Sequence, residues 1–327
     1  MFEFEAHAHG QTHPWTLSLD KRMQMYRQDD IKVVYYYPHP DSSTFRYRCF
    51  NMANAINAHL DHISASWFCE SDEWEYLASV IRQADVLVIC RSMYTGKVAQ
   101  MIQIARRWGT RVLFDCDDYL FDCREIPRIV AAQCQAVEMD METAWNTWFG
   151  WSARLRLVLE LCDGLIVTND YLADQAAGIT DLPVYVIPNF MGDDQVDYSN
   201  ELFAAKQANA NRRNGRICVG YYSGSASHAR DFGLVSLALS QLLRERDDLD
   251  VRIVGYLNLE NTELAKLEQR VEKIPLVGYL ELQRLIAQAE ICLSPLENTK
   301  FNNCKSQLFR GRNKYDCSDS RVIPMCG

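Results

Sequence analysis

The stretch RICVGYYSGSASHARDFG, residues 216–233, decides how the chain is read. An apolar run ends in Ser223, Gly224 and Ser225, small polar residues follow, and Asp231 stands where a helix can begin. A strand, a tight turn and a helix in that order form the repeating unit of a parallel sheet, whose strands are joined by helical crossovers. Glycine lets the backbone come close to a ligand, and the free amides at the start of the next helix favour a phosphate. His228 and Arg230 add donors suited to a diphosphate. Turns use the same small residues for steric reasons, so the loop taken by itself is compatible with both roles.

The same alternation runs outward in both directions. Before it lie the strand candidates "IKVVYYYP", "HISASWF", "ADVLVICRS", "RVLFDCDD", "DGLIVTN" and "VYVIPNF", with helix-like segments at 45–58, 73–83, 96–108 and 171–177. After it come a helix at 231–245, "VRIVGYL", a helix at 262–271, "IPLVGYL", a helix at 280–289 and "ICLSPLE". Near-continuous apolar strands are buried on both faces, which predicts doubly wound sheets. The expected fold is α/β, with two Rossmann-like domains facing across a cleft and a binding site at the carboxyl ends of their strands. The polar stretch 192–215 reads as a linker with one short helix. Residues 119–162 interrupt the rhythm. There Trp145, Trp148, Phe149, Ser152, Leu155 and Leu159 share a helical face that predicts a core helix packed on the sheet. The alternative is that Trp151, Arg154 and Arg156 line an acceptor or membrane-surface contact.

A chain of 327 residues, 48% hydrophobic and 24% charged, has the composition of a globular protein of about two domains. Its net charge of -9 argues against a nucleic-acid binder that works by whole-surface attraction. The first residues, MFEFEAHAHGQTHPW, lack the positive end and apolar run of a secretory signal, and no segment approaches bilayer length. A cytoplasmic protein is expected. The 12 cysteines are scattered with no CxxC pair, so thiols rather than disulfides are expected. His7, His9 and His13 have no matching ligands nearby in sequence, and no metal site is assigned to them.

A second segment, "PLENTKFNNCKSQL" at 295–308, follows the last strand and places Lys305 beyond an Asn-rich turn. A lysine there is either a counter-charge for a leaving diphosphate or a solvated surface residue. Asp115, Asp117 and Asp118 in "FDCDD" lie at a strand end. Asp117 or Asp118 would either orient an acceptor hydroxyl or cap the segment that follows. Arg46 and Arg48 read as acceptor contacts or ordinary surface residues.

The segments "DSSTFRYRCFNMANAI", "RVLFDCDDYLFD", "CDGLIVTNDYLADQ", "VYVIPNF", "YYSGSASHARDF", "VRIVGYL" and "SPLENTKFNNCKSQL" resemble, in this order, those of GT-B glycosyltransferases, specifically retaining family 4, the glycosyl transferases group 1. The resemblance implies an acceptor-binding domain at 31–195 after an extension at 1–30, a linker at 196–214, and a nucleotide-sugar-binding domain at 215–308. It implies that Gly224, Ser225, His228, Arg230 and Lys305 sit around the nucleotide diphosphate, Arg230 and Lys305 acting in catalysis and the others binding the donor. Asp117, read as a cleft group at the strand end, is the third catalytic candidate. The substrates would be a nucleotide sugar and a saccharide or lipid-linked acceptor, with no cofactor or metal, no nucleic acid, and a peripheral contact with the inner membrane face. A catalytically inactive saccharide- or partner-binding module is the alternative.

The family continues with a segment like "KFFEAAALGVPVVAS", whose glutamate binds the nucleotide's ribose; this chain has FRGRNKYDCSDSRVIP at 309–324. Those residues admit synonymous codons from which loss of the first base yields FEAGISTIVATPVLY. A frameshifted, truncated second domain is therefore expected, with 309–327 an aberrant tail and the second domain the less stable one. Sequencing the gene through the codons after Leu308 checks this: one displaced base should restore the glutamate and the apolar strand.

Overall fold

The structure, a computed structural model, describes residues 13–28, 30–40, 43–136, 140–208, 215–224, 228–260 and 262–306, with backbone only for 132–136. His7, His9, Ser225 and the segment 307–327 lie outside the described residues.

Ten strands occur among the described residues. They are β1 (Ile31–Tyr36), β2 (Ile63–Phe68), β3 (Val86–Cys90), β4 (Arg111–Asp115), β5 (Gly164–Val167), β6 (Val184–Val186), β7 (Ile217–Ser223), β8 (Leu249–Gly255), β9 (Val271–Ile274) and β10 (Ile291–Leu293). The helices are α1 (Leu19–Met23), α2 (Asn51–His59), α3 (Trp74–Gln83), α4 (Gly96–Trp108), α5 (Ile126–Ala136), α6 (Met141–Glu160), α7 (Asp170–Ala177), α8 (Asp193–Ala208), α9 (Ala229–Glu245), α10 (Tyr279–Gln288) and α11 (Lys300–Asn303). No helix of the described residues is long and apolar enough to cross a membrane.

The strands form two parallel sheets, with orders β2-β1-β3-β4-β5-β6 and β10-β7-β8-β9. The fold is thus α/β with two Rossmann-like units, as the apolar runs predicted. Alternation along each strand explains those runs. Val34 and Tyr36 enter one core with Ile89, Phe114 and Leu165, while Tyr35 enters a second with Trp67, Val88 and Ile166 on the other face. In both sheets the strand order reverses next to the unit's first strand, between β1 and β3 and between β10 and β7. Such a switch point sends consecutive connections to opposite faces and leaves a crevice at the strands' carboxyl ends.

Three expectations need correction. The strand read at "IPLVGYL" is β9, residues Val271–Ile274, and it ends where Pro275 removes a ladder donor. The region read as linker is largely the sixteen-residue α8. Tyr198 and Leu202 on α8 pack against Ala287, and Gln283 of α10 donates to the Gln195 carbonyl and Ser199 Oγ. Arg46 and Arg48 are not surface residues. They sit in a π-helical turn, residues Arg46–Phe50, and are 0% and 1% exposed. Arg48 donates Nε and Nη2 to the two Asp115 oxygens at 2.9 and 2.7 Å, and its Nη1 reaches the Ile187 carbonyl and Asn189 Oδ1.

Helix α6 is partly the core helix expected. Ser152, Leu155 and Leu159 are buried, whereas Trp145 and Phe149 are each 39% exposed. Trp148 and Trp151 pack edge to face at its inner margin.

Breaking the buried pair should be costly, because Asp115 would keep a charge with no partner. Arg48→Met is expected to lose roughly 3–5 kcal/mol in urea unfolding, and adding Asp115→Leu should recover most of it. An unchanged midpoint in the single variant would contradict this. The second unit's edge strands have only four and three residues, and Leu234 and Leu237 of α9 are more than half exposed. Amide exchange should therefore be faster in β9 and β10 than in β1, β3 and β4, and equal protection would count against it.

Candidate active site between the two sheets

A cavity of about 260 Å³ opens where the carboxyl ends of the two sheets meet. Arg91, Asp118 and Trp148 line it from the first unit, and His228, Arg230 and Lys305 from the second. The order of the strands puts them there. Arg91 follows β3 and Asp118 lies just past β4; His228 and Arg230 follow β7, and Lys305 lies beyond β10.

Asp231 organises the second unit's wall. It lies in the first turn of α9, is 4% exposed, and its Oδ2 is 2.9 Å from His228 Nδ1. Its Oδ1 accepts from the Glu297 amide at 2.9 Å and from Asn302 Nδ2 at 3.0 Å. Burial raises its proton affinity, but the bonds to His228 and the Glu297 amide, with the charge of Lys305, outweigh burial and hold the carboxyl below the usual range. One carboxylate thereby ties the loop after β7 to the segment after β10. Arg230 Nε lies 3.8 Å from the Glu297 carboxylate. Gly255 shapes the neighbouring strand end. Its φ is +96°, and a Cβ there would stand 2.0 Å from the Ser223 carbonyl oxygen, so only glycine lets β8 close against the start of this loop.

Lys305 is held from the opposite side of the cleft. Asn169, the N-cap of α7, donates Nδ2 to the Cys304 and Lys305 carbonyls at 2.9 and 3.2 Å while its Oδ1 accepts from the Leu172 amide. Cys304 is fully buried in the first unit's core, next to Phe301. Burial lowers the proton affinity of the Lys305 ammonium, opposed by Asp118 and Asp231. It makes no ion pair within 4 Å among the described residues.

In the first unit's wall, Arg91 Nη1 donates to Thr44 Oγ1 at 2.9 Å and lies 3.3 Å from Asp117 Oδ1 and 3.2 Å from Asp118 Oδ2. Its guanidinium also stands 5.4 Å over the Trp151 ring. Thr44 donates to Asp117 Oδ2 at 3.2 Å. Burial pushes the Asp117 carboxyl up to about 6, with Arg91 pulling down and Asp118 pushing up. Asp115, the third aspartate of the run, is occupied by Arg48.

The structure thus brings His228, Arg230 and Lys305 into one cavity, with Asp117 behind its wall and Gly224 at the end of β7, where a Cβ would meet nothing within 4 Å. Arg154 does not line this cavity: its Nε donates to the Tyr94 carbonyl. Arg91, Asp231 and Asn302 were missed. Arg91 directly follows a buried strand in "ICRS", a position that points to the sheet's carboxyl end; Asp231 reads as a helix start, and nothing in the sequence pairs it with Asn302.

No family model and no curated protein matches the chain. Among solved structures it is similar to the UDP-GlcNAc 2-epimerase of Neisseria meningitidis, at 14% identity and TM-score 0.42, covering 81% of this chain and 77% of that one. It is also similar to the alpha,alpha-trehalose-phosphate synthase of Burkholderia xenovorans, at 10% identity and TM-score 0.42, covering 81% and 79%.

The raised Asp117 gives a signed pH effect. A carboxyl whose folded value lies near 6, above the ordinary value of about 3.9, stabilises the fold while protonated. That contribution is whole below about pH 4 and is lost as pH rises through 6. Asp117→Asn should therefore gain on the order of 2 kcal/mol relative to wild type between pH 4 and pH 8 in urea unfolding. A difference that does not vary with pH would refute the assignment.

Proposed function

We propose that the chain transfers a sugar from a nucleotide-sugar donor to a saccharide or lipid-linked acceptor, with retention of configuration, in polysaccharide or glycoconjugate synthesis. One observation carries the reading: a part-buried ammonium, Lys305, without an ion-pair partner among the described residues, in a cavity at the switch points of two parallel sheets. A cation so placed is suited to a charged ligand that brings its own oxygens.

In this reading the diphosphate lies along the second unit's wall. Charge grows on it as the bond from the sugar's anomeric carbon to phosphate oxygen breaks. Lys305, Arg230 and the amino-terminal end of the seventeen-residue α9 stabilise that charge from fixed positions, so little reorganisation is needed during the reaction. His228 and the backbone at Gly224 bind the donor. Asp118 lines the cavity, and in this reading Asp117 or Asp118 orients the acceptor hydroxyl. The hydroxyl oxygen bonds to the anomeric carbon on the face that the diphosphate leaves, its proton passes to the departing phosphate oxygen, and the nucleoside diphosphate departs with configuration retained. No separate cofactor is required.

Titration with UDP- and GDP-sugars, followed by amide exchange, tests the donor side. Protection should appear at the start of α9 and around Lys305. Lys305→Ala should lower kcat by about 10²–10³, the usual cost of removing a fixed group that stabilises developing negative charge. Protection confined to the first unit, or wild-type turnover in the variant, would refute the proposal.

A further inference from the structure

We propose that Arg91 is a positioning residue whose single Nη1 holds Asp117 and Asp118 in two different orientations, one turned back to Thr44 and one facing the cleft, and that its unusual backbone conformation is what aims it there. The kinetic part of this inference rests on the proposed function; the structural part does not.

The backbone is the first observation. Arg91 has φ +40°, in the left-handed region that costs a non-glycine residue on the order of 1–2 kcal/mol. Such a conformation persists where its surroundings over-determine it. Here the Arg91 amide donates to the Asp115 carbonyl at 2.8 Å, and Ser92 Oγ donates to the Cys90 carbonyl at 2.8 Å. Glycine or asparagine would take this turn with less strain, so backbone needs alone do not account for an arginine. The side chain supplies the second observation: one nitrogen reaches a hydroxyl on the β1 connection and two carboxylates past β4.

Adjacent carboxylates repel, and without a shared cation they would splay or share a proton. The charged groups facing Asp117 are Arg91, Asp118, Arg48 and Asp115, and Asp118 is also faced by Lys305 from the second unit. Arg48 is already saturated by Asp115, Ile187 and Asn189. The first-unit cation left to divide the two carboxylates between separate directions is Arg91. Asp118 joins Arg91, Arg230 and Lys305 in lining the cavity, and the Asp117 carboxyl is kept behind it.

The test uses the full chain with Arg91→Asn, which suits a left-handed backbone, and Arg91→Lys, whose ammonium retains the charge but not the planar fork. The first readout is titration of the Asp117 carboxyl by carbon NMR of labelled aspartate, without substrate. Arg91→Asn should move it upward by about one pH unit or more, the usual effect of losing an adjacent opposite charge, and Arg91→Lys by less. Thermal stability of Arg91→Asn should fall, by less than that of Arg48→Met, because relief of strain offsets part of the lost pairing. The second readout is the pH dependence of kcat, whose acidic limb should follow the same order. An unshifted titration in Arg91→Asn overturns the proposal. If that variant does not fold, Arg91→Gln, which removes the charge at similar length, decides in its place, and an unshifted carboxyl there overturns the proposal equally. Absence of sugar transfer by the wild-type chain would refute the proposed function, while the titration still judges the clamp.

Discussion

The contact on which the site's geometry depends is the buried pair between Arg48 and Asp115. Both groups are removed from water, so their attraction must offset a desolvation cost of several kcal/mol per ion, which a two-point contact can do and a looser one cannot. The remaining nitrogen of Arg48 binds the Ile187 carbonyl and Asn189. One guanidinium thereby fastens the π-helical turn before α2, the end of β4 and the chain leaving β6. The Asp115 carbonyl in turn accepts from the Arg91 amide, so the turn that strains Arg91 hangs from the same strand end. Asp117 and Asp118 follow within three residues. Their placement derives from a pair that does not itself face the cavity.

The second unit uses the same device with a carboxylate at the centre. Asp231 collects donors from His228, Glu297 and Asn302, and in doing so brings two loops separated by more than sixty residues to one wall. The segment that carries Lys305 belongs by sequence to this unit yet seats Cys304 in the first unit's core and rests its backbone on Asn169. Lys300 adds a contact to Glu125 at 3.6 Å. The lysine is thus held from both sides of the cleft, so its position depends on how the units meet.

A further contact joins the units near α8. Arg46 is fully buried, its guanidinium lies 3.3 Å from the Tyr279 ring centre and its Nη2 is 3.6 Å from Asp194. Burial lowers its proton affinity to about 10, opposed by Tyr279 and Asp194. An arginine stacked on an aromatic ring keeps its charge with fewer hydrogen bonds than one facing a carboxylate squarely. This contact joins the start of α10 to the first unit at a point distinct from the cavity.

Sequence by itself determined the kind of fold, because strand periodicity and burial on both faces are local properties. Runs such as "ADVLVICRS" and "DGLIVTN" cannot be half-exposed strands, and six of six strands before α8 were legible for that reason. Helix α8 was legible only as a short helix within a linker, since its buried face mixes Tyr198 and Leu202 with Gln195, Ser199 and Lys206, whose partners lie far along the chain and leave only a broken apolar stripe to read. Sequence also marked His228, Arg230 and Lys305, because small residues and cations after an apolar run form a recognisable local pattern. Only the tertiary structure decided that Arg48 is buried, that Arg91 bridges two carboxylates, and that Asp231 ties its loop to Asn302. Each of these depends on a partner distant in the chain, and an ionisable side chain carries no local sign of whether it will meet water or an opposite charge.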